Sequence, residues 1–379
     1  MVPVRWRRAD TSPAGRVAPV EIFFDVVFVL TLLQLTQILE ADLSLAAFGR
    51  VALIFAVLWF MYTGYAWLTN QVPPRLPYQK VLLLAGMAGF LLTAVGLPDA
   101  VTGTAAFFGL GYLLVACVHF ALFAQFDIRF AVLLAPYNLG SALLILAAGF
   151  VGSSWAYLLW GLAFLLQTVV PYLLPRWSWV GRAGLFHLNA EHFVERHNLL
   201  VIVALGESVV AIGLGLRGAH LTAGTAVAVL LALAVPAAMW WTYFSNTSAA
   251  SRVLAAAEPG LRTRLAAPVY IFAHVLLLLG IVVTAAGIHD TVAHPGAAVE
   301  PATAVALSGG VALFLGGIAV GLRFLSVGSW RNRLTAAVAT LATIPVGTAG
   351  SAALHLCAVI GVLLAMLAAD HRRAARRPA

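Results

Sequence analysis

The sequence predicts an all-α membrane protein, a polytopic bundle of about twelve transmembrane helices. Of its 379 residues, 62% are hydrophobic and only 9% are charged, whereas soluble globular domains carry roughly 25% charged residues. Twelve apolar runs follow one another along the chain, and all but one reach the length of about 18 residues at which a helix spans a bilayer. Strands of a transmembrane barrel would alternate in polarity over short segments, and the sequence lacks that pattern.

The last two apolar runs need separate justification because they are short and adjoin each other near Gly350–Ser351. A single merged helix would carry the Arg-rich C-terminus to the opposite side of the membrane from the other basic loops, so two helices are predicted. The predicted spans are residues 20–39, 49–68, 80–97, 103–124, 130–150, 154–174, 197–216, 222–245, 267–288, 303–322, 334–349 and 351–369.

The distribution of basic residues predicts the orientation. The net charge is +8, but the basic residues lie between apolar runs and not on one face, which argues against nucleic acid as a partner. With a cytoplasmic N-terminus and twelve spans, twenty Lys and Arg residues fall on the inner side, and only Arg50 and Arg217 fall on the outer side. This asymmetry predicts that both termini are cytoplasmic and that the lipid bilayer is the main partner.

The chain divides by prediction into two membrane units with short basic tails. Val20-Glu21 and Val194-Glu195 open the first and seventh runs, and a W-x-x-Y pattern recurs at Trp59–Tyr62 and Trp240–Tyr243. One interpretation is a parallel duplication of six helices, a known transporter design, and chance similarity is the other. The predicted divisions are a basic tail at 1–19, six-helix units at 20–174 and 175–369, and a basic tail at 370–379.

Two carboxylates in the first apolar run are candidate functional residues. Glu21 and Asp25 are four residues apart and therefore share one helical face. Like charges at this spacing repel each other unless a proton or a cation is shared. One interpretation is a buried acidic site facing the interior of the bundle, and the other is a pair of carboxylates at the headgroup level that reach water or a loop arginine.

Glu207 has the highest expected free-energy cost of membrane insertion, because it lies near the middle of the seventh apolar run. A charge at the centre of a transmembrane helix costs about 2.5–3.5 kcal/mol on insertion scales. Glu207 should therefore face protein, form a pair or carry a proton. We predict that Glu207 and the adjacent Ser208 lie on a substrate or ion pathway, and the alternative is a protonated glutamate that only joins helices.

A dense polar segment, HLNAEHFVERH, precedes that run. Metal binding is one possible role for its histidines and carboxylates, but the H-E-x-x-H order of zinc proteases is absent, so no metal or other cofactor is expected. Nor do the two cysteines, which both fall in apolar runs, form a metal or disulfide pattern. We interpret the segment as a salt-bridged collar at the cytoplasmic interface. Its members are His187, Glu191, His192, Glu195, Arg196 and His197.

Two segments carry a family resemblance, PVEIFFDVVFVLTLLQLTQIL at 19–39 and HFVERHNLLVIVALGESVVAIG at 192–213. Their E-x-F-F-D and A-L-G-E-S parts resemble the bacterial low temperature requirement protein A (LtrA) family, and the similarity covers nearly the whole chain. The resemblance implies a multi-pass protein of the bacterial inner membrane, in a family named for a cold-growth phenotype. It implies no defined reaction. The first run is also similar, more weakly, to the F-S-D helix of an endolysosomal potassium channel family, although Phe24 replaces the serine.

Three functions follow from these residues, and the sequence is also compatible with a structural or chaperone-like role in cold membranes. We favour a secondary transporter of an unknown small solute or ion, with Asp25 and Glu207 as coupling or substrate groups. The first alternative is an ion channel built on the duplicated six-helix units. The second is a membrane enzyme that uses the His/Glu segment at the cytoplasmic face, although a non-enzymatic role is favoured. Oligomerisation is compatible with each of them.

Overall fold

A computed structural model describes residues 17–100, 106–151, 153–181, 188–216 and 222–375. These residues form helices joined by short connections, and no strand occurs among them. The helices are α1 (Pro19–Ala41), α2 (Leu45–Gln71), α3 (Pro77–Val95), α4 (Leu97–Ala100), α5 (Ala106–Phe126), α6 (Ile128–Ala148), α7 (Ser153–Phe164), α8 (Val170–Leu173), α9 (Ala190–Gly215), α10 (Ala223–Phe244), α11 (Thr247–Ala256), α12 (Pro259–Ala267), α13 (His274–Ala293), α14 (Pro301–Leu325), α15 (Trp330–Leu341), α16 (Ile344–Ala349) and α17 (Ala352–Ala375).

The predicted all-α polytopic architecture is confirmed. Within the described ranges, eleven helical stretches are long and apolar enough to cross a membrane. Two of them are continued by wider π-helical turns, at Leu165–Val169 between α7 and α8 and at Pro268–Ala273 between α12 and α13. The connection between the predicted spans 222–245 and 267–288 is mostly helical, since it contains α11 and most of α12.

The predicted span at 334–349 is a broken helix, which accounts for the difference between eleven and twelve. Pro345 lies in the first turn of α16, and it lacks the N–H that would continue the hydrogen bonding of α15. Asn332 at the start of α15 donates to Asp370 of α17 at 2.7 Å, and the carbonyl of Gly347 accepts from Val299, before α14, at 2.9 Å. The two short helices thus run together beside α14. The predicted separation near Gly350–Ser351 is confirmed.

The chain forms two compact units that do not coincide with the predicted six-helix units. Unit 1 contains Met1–Gln34, Leu53–Leu200 and Leu254–Arg264, and unit 2 contains Leu35–Ala52, Val201–Val253 and Leu265–Ala379. The boundaries fall inside α1, α2, α9, α11 and α12, so each of these helices contributes residues to both units. The six-helix duplication stays a prediction. At the predicted C-terminal tail, α17 continues through Ala375.

The start of α9 decides where the functional side chains lie. The helix begins at Ala190, seven residues before the predicted apolar run. Asn189 stands before it, and its side chain accepts a hydrogen bond from the backbone N–H of His192 at 3.1 Å, as the N-terminal cap of a helix does. The part of the predicted interfacial collar from Ala190 to His197 therefore forms the first two turns of α9.

Candidate functional site

Arg196 of α9 is completely buried between two carboxylates of α1. Its Nη1 donates to Oε1 of Glu21 at 3.1 Å, and its Nη2 donates to Oδ1 of Asp25 at 3.0 Å. The hydroxyl of Thr69, near the end of α2, accepts a further hydrogen bond from Nη1. Because Glu21 and Asp25 are one helical turn apart, a single planar guanidinium contacts both carboxylates at once.

Aromatic rings shield this guanidinium from water. Its central carbon lies 5.7 Å from the ring centroids of both Phe24 and Tyr62, a distance at which cations are attracted to aromatic faces. The two rings are fully or almost fully buried. Low polarity around the site strengthens the ion pairs and raises the cost of any charge left without a partner.

His192 completes the site and lies between the Asn70 amide and the Glu21 carboxylate. The Asn70 side chain forms two hydrogen bonds with the backbone of Asn189, with Oδ1 accepting from its N–H and Nδ2 donating to its carbonyl, both at 3.0 Å. The amide is therefore oriented so that Nδ2 also faces Nδ1 of His192 at 3.2 Å. Nδ1 must accept, so the ring proton is on Nε2, which lies 3.1 Å from Oε2 of Glu21.

The charges of this site do not balance. We call Glu21, Asp25, His192 and Arg196 the ion cluster. With both carboxylates ionised and His192 neutral, the ion cluster carries one excess negative charge. Oδ1 of Asp25 accepts from the Tyr62 hydroxyl at 2.8 Å and from Arg196. Its Oδ2 is buried and has no hydrogen-bond partner within the described parts of the chain. A proton on Oδ2 would make the ion cluster neutral.

The segment predicted as an interfacial collar contains both exposed and buried residues. Glu191 is exposed, and Glu195 is half-buried with its carboxylate 3.4 Å from the backbone nitrogen of Val17. His192 and Arg196, by contrast, are buried against α1. His197 is buried as well, and its Nδ1 lies 2.8 Å from the carbonyl of Phe193. The sequence does not indicate this burial, because the α1 carboxylates that contact His192 and Arg196 lie more than 170 positions away in the chain. His187 lies outside the described residues.

Glu207 and Ser208 are buried in unit 2. Neither Oε2 of Glu207 nor the Ser208 hydroxyl has a hydrogen-bond partner among the residues described. Within the described parts of the chain, the like charge of Glu40 acts on Glu207, and Glu40 lies on the part of α1 that belongs to unit 2. Glu40 also has a buried oxygen, Oε1, without a partner in the described structure, and it interacts electrostatically with His289 and Asp290. We call Glu40 and Glu207 the acidic pair.

The structure thus brings Glu21 and Asp25 together with Arg196 and His192, and it gives Glu207 a different α1 neighbour, Glu40. Convergence of Glu21, Asp25 and Glu207 on one cavity stays a prediction. In the described ranges, no group of three or more His, Cys, Asp or Glu side chains is arranged to hold a metal ion.

Sequence reasoning missed Glu40, Tyr62, Thr69 and Asn70 as site residues. Tyr62 was visible in the repeated W-x-x-Y pattern, and Glu40 could have been noticed as a carboxylate at the end of an apolar run. Thr69 and Asn70 carry no pattern of their own.

Comparisons with known proteins agree with the resemblance in the sequence. The chain matches the family described as bacterial low temperature requirement A protein (LtrA) over residues 16–369. An uncharacterised protein of Rhizobium meliloti (strain 1021) is 28% identical over 325 residues, which cover 82% of this chain and 78% of that protein. No solved structure matches the chain. Since the family match extends over nearly the whole length, the chain belongs to the bacterial low temperature requirement A (LtrA) family.

Proposed function

We propose that this LtrA protein is a secondary transporter that couples the movement of a small solute or ion to a proton carried by Asp25. The observation that supports the proposal is the charge imbalance of the ion cluster, together with the buried Oδ2 of Asp25 that has no partner in the described structure. An uncompensated buried charge costs several kcal/mol. Binding of one proton or one cation at Asp25 removes that cost.

The proton would change the contact between two helices. With Asp25 ionised, Arg196 bridges both α1 carboxylates. With Asp25 neutral, the guanidinium keeps an ion pair only with Glu21, which His192 also contacts. The α1–α9 contact then has two electrostatic states, and coupled transport needs a structural element whose equilibrium is shifted by the coupling ion.

The acidic pair supplies a second set of titratable groups for the same function. Glu40 and Glu207 repel each other, and each has an oxygen without a partner among the described residues. Buried carboxylates in membrane proteins are typical of proton and ion pathways. We therefore assign Glu207 to the pathway together with Asp25, and we place Ser208 beside it.

Removal of the Asp25 carboxylate should abolish coupled transport. We expect Asp25→Asn to lose solute-driven proton movement while the protein still folds, because Glu21 and Arg196 then balance each other. The measurement uses purified protein in liposomes that contain the pH dye pyranine. Outward gradients of Na⁺, K⁺, Ca²⁺, amino acids, sugars and organic cations are applied one at a time, and Glu207→Gln is expected to lose the same signal.

Asp42→Asn is the matched control, since Asp42 follows α1 directly but is exposed and paired with Arg50. This variant should keep the flux of the wild-type protein. Wild-type flux in Asp25→Asn would contradict the assignment of the proton carrier. Current in planar bilayers without any counter-flow of protons would favour the channel instead.

We also propose that the protein lies in the bacterial plasma membrane with both termini in the cytoplasm. The proposal rests on the twenty-to-two asymmetry of Lys and Arg between the predicted inner and outer segments. Fusions of alkaline phosphatase to the C-terminus should be inactive, and a fusion in the connection between α1 and α2 should be active. The reverse pattern would overturn the orientation.

A further inference from the structure

We propose that unit 2 binds the phosphate headgroup of an anionic phospholipid in a cavity at the C-terminal ends of α10 and α17. The cavity has a volume of about 380 Å³. Three segments line it: the end of α10, the connection between α14 and α15, and the end of α17. The lining residues that matter to the proposal are Trp241, Asn246, Ser329, Asp370, His371 and Arg373.

The position of the cavity suits a lipid headgroup. Its three lining segments all lie at the ends of helices, and the ends of membrane-spanning helices lie at the level of the lipid headgroups. Trp241 is 62% exposed at its edge, and tryptophan is enriched at this level of membrane proteins. By the Lys and Arg distribution, this end of unit 2 faces the cytoplasm.

The excess charge at the cavity is positive. Its one carboxylate, Asp370, is already engaged by the buried Arg333 and by the amide of Asn332. Arg373 has no carboxylate partner in the described structure, and its Nη1 donates to the Ser329 hydroxyl at 2.9 Å, which holds the guanidinium beside the cavity. An arginine fork held in this way offers its remaining N–H groups to phosphate oxygens.

A second concavity favours a lipid over a soluble phosphate. It shares Arg373 with the first, has a volume of about 420 Å³, and is otherwise lined by Arg372 and three alanines, Ala365, Ala368 and Ala369. Small side chains on this face of α17 leave room for an acyl chain that runs from the headgroup into the membrane. Basic pockets between transmembrane helices are known to bind anionic headgroups.

Native mass spectrometry of the full-length protein tests the site with phosphatidylglycerol and phosphatidylcholine as probes. The wild-type protein should retain one phosphatidylglycerol at concentrations where phosphatidylcholine is lost. Arg373→Gln should weaken phosphatidylglycerol binding about tenfold, as expected for the loss of charge-assisted hydrogen bonds. Ala368→Leu should weaken it several-fold by filling the alanine-lined concavity, without any change in charge.

Arg252→Gln is the matched control, because it removes the same charge from an exposed position on α11 outside the cavity. It should bind phosphatidylglycerol like the wild-type protein. Equal losses in Arg252→Gln and Arg373→Gln would overturn the proposal in favour of general surface attraction. Complete displacement of the lipid by equimolar inorganic phosphate would overturn it in favour of a soluble anion, and equal retention of both lipids would remove the headgroup preference.

Discussion

Replacement of Arg196 with methionine is expected to lower the free energy of unfolding by about 3–5 kcal/mol, the usual effect of removing one partner from a buried ion pair. Glu21 and Asp25 would remain buried on adjacent turns of α1 with no cation between them. The aromatic rings around the guanidinium leave little access for water to compensate. The loss should appear as a reduced thermal midpoint in detergent and as a lower yield of monodisperse protein.

The triple variant Glu21→Gln, Asp25→Asn, Arg196→Met separates charge from packing. It removes all three charges together, and neutral replacements of whole buried ion pairs are often tolerated well. We expect it to recover most of the stability lost by Arg196→Met. If the triple variant is as unstable as the single one, the guanidinium acts mainly by filling space, and the charge balance proposed for the ion cluster has no energetic support.

Gly317→Ala in α14 should give the second large effect. A methyl group there would lie 2.7 Å from the carbonyl oxygen of Ala273 and 2.7 Å from the backbone nitrogen of Leu277. Backbone atoms cannot move aside as a flexible side chain can, so α13 and α14 must separate. Overpacking of this kind costs about 1–3 kcal/mol, and the thermal midpoint of the purified protein should fall by several degrees.

The neighbouring Gly316 provides the control on the same helix. A methyl group at Gly316 meets no atom within 4 Å. Gly316→Ala should therefore keep or raise the midpoint, since alanine is favoured over glycine in helices by up to about 1 kcal/mol. Equal destabilisation by the two substitutions would mean that helix packing at Gly317 is not the cause.

The features that depend on the local sequence pattern, such as helices and shared helical faces, were predicted correctly. Apolar runs predicted an all-helical membrane bundle, and the four-residue spacing predicted that Glu21 and Asp25 share one face. Burial of that face was one of two open interpretations, and both carboxylates are buried in the structure. The separation at Gly350–Ser351 followed from charge distribution and is present in the structure.

Contacts between residues that are distant in the chain could not be predicted from the sequence. The sequence predicts an interfacial Arg196 because the apolar run begins at residue 197, whereas the helix itself begins at Ala190, after the Asn189 cap. Glu21 and Arg196 are 175 positions apart, and no local pattern in a single sequence indicates which carboxylate a buried arginine meets. The break between α15 and α16 was missed for a different reason, because Pro345 interrupts a run that stays apolar.

The separation of Glu21 and Arg196 has a consequence for biosynthesis. At about 5–20 residues per second, the ribosome adds Glu21 roughly 9–35 s before it reaches Arg196, which lies 175 positions later. During that interval α1 carries two carboxylates whose cation has not been made. The ion pairs that bury Glu21 and Asp25 can therefore form only after α9 has been synthesised.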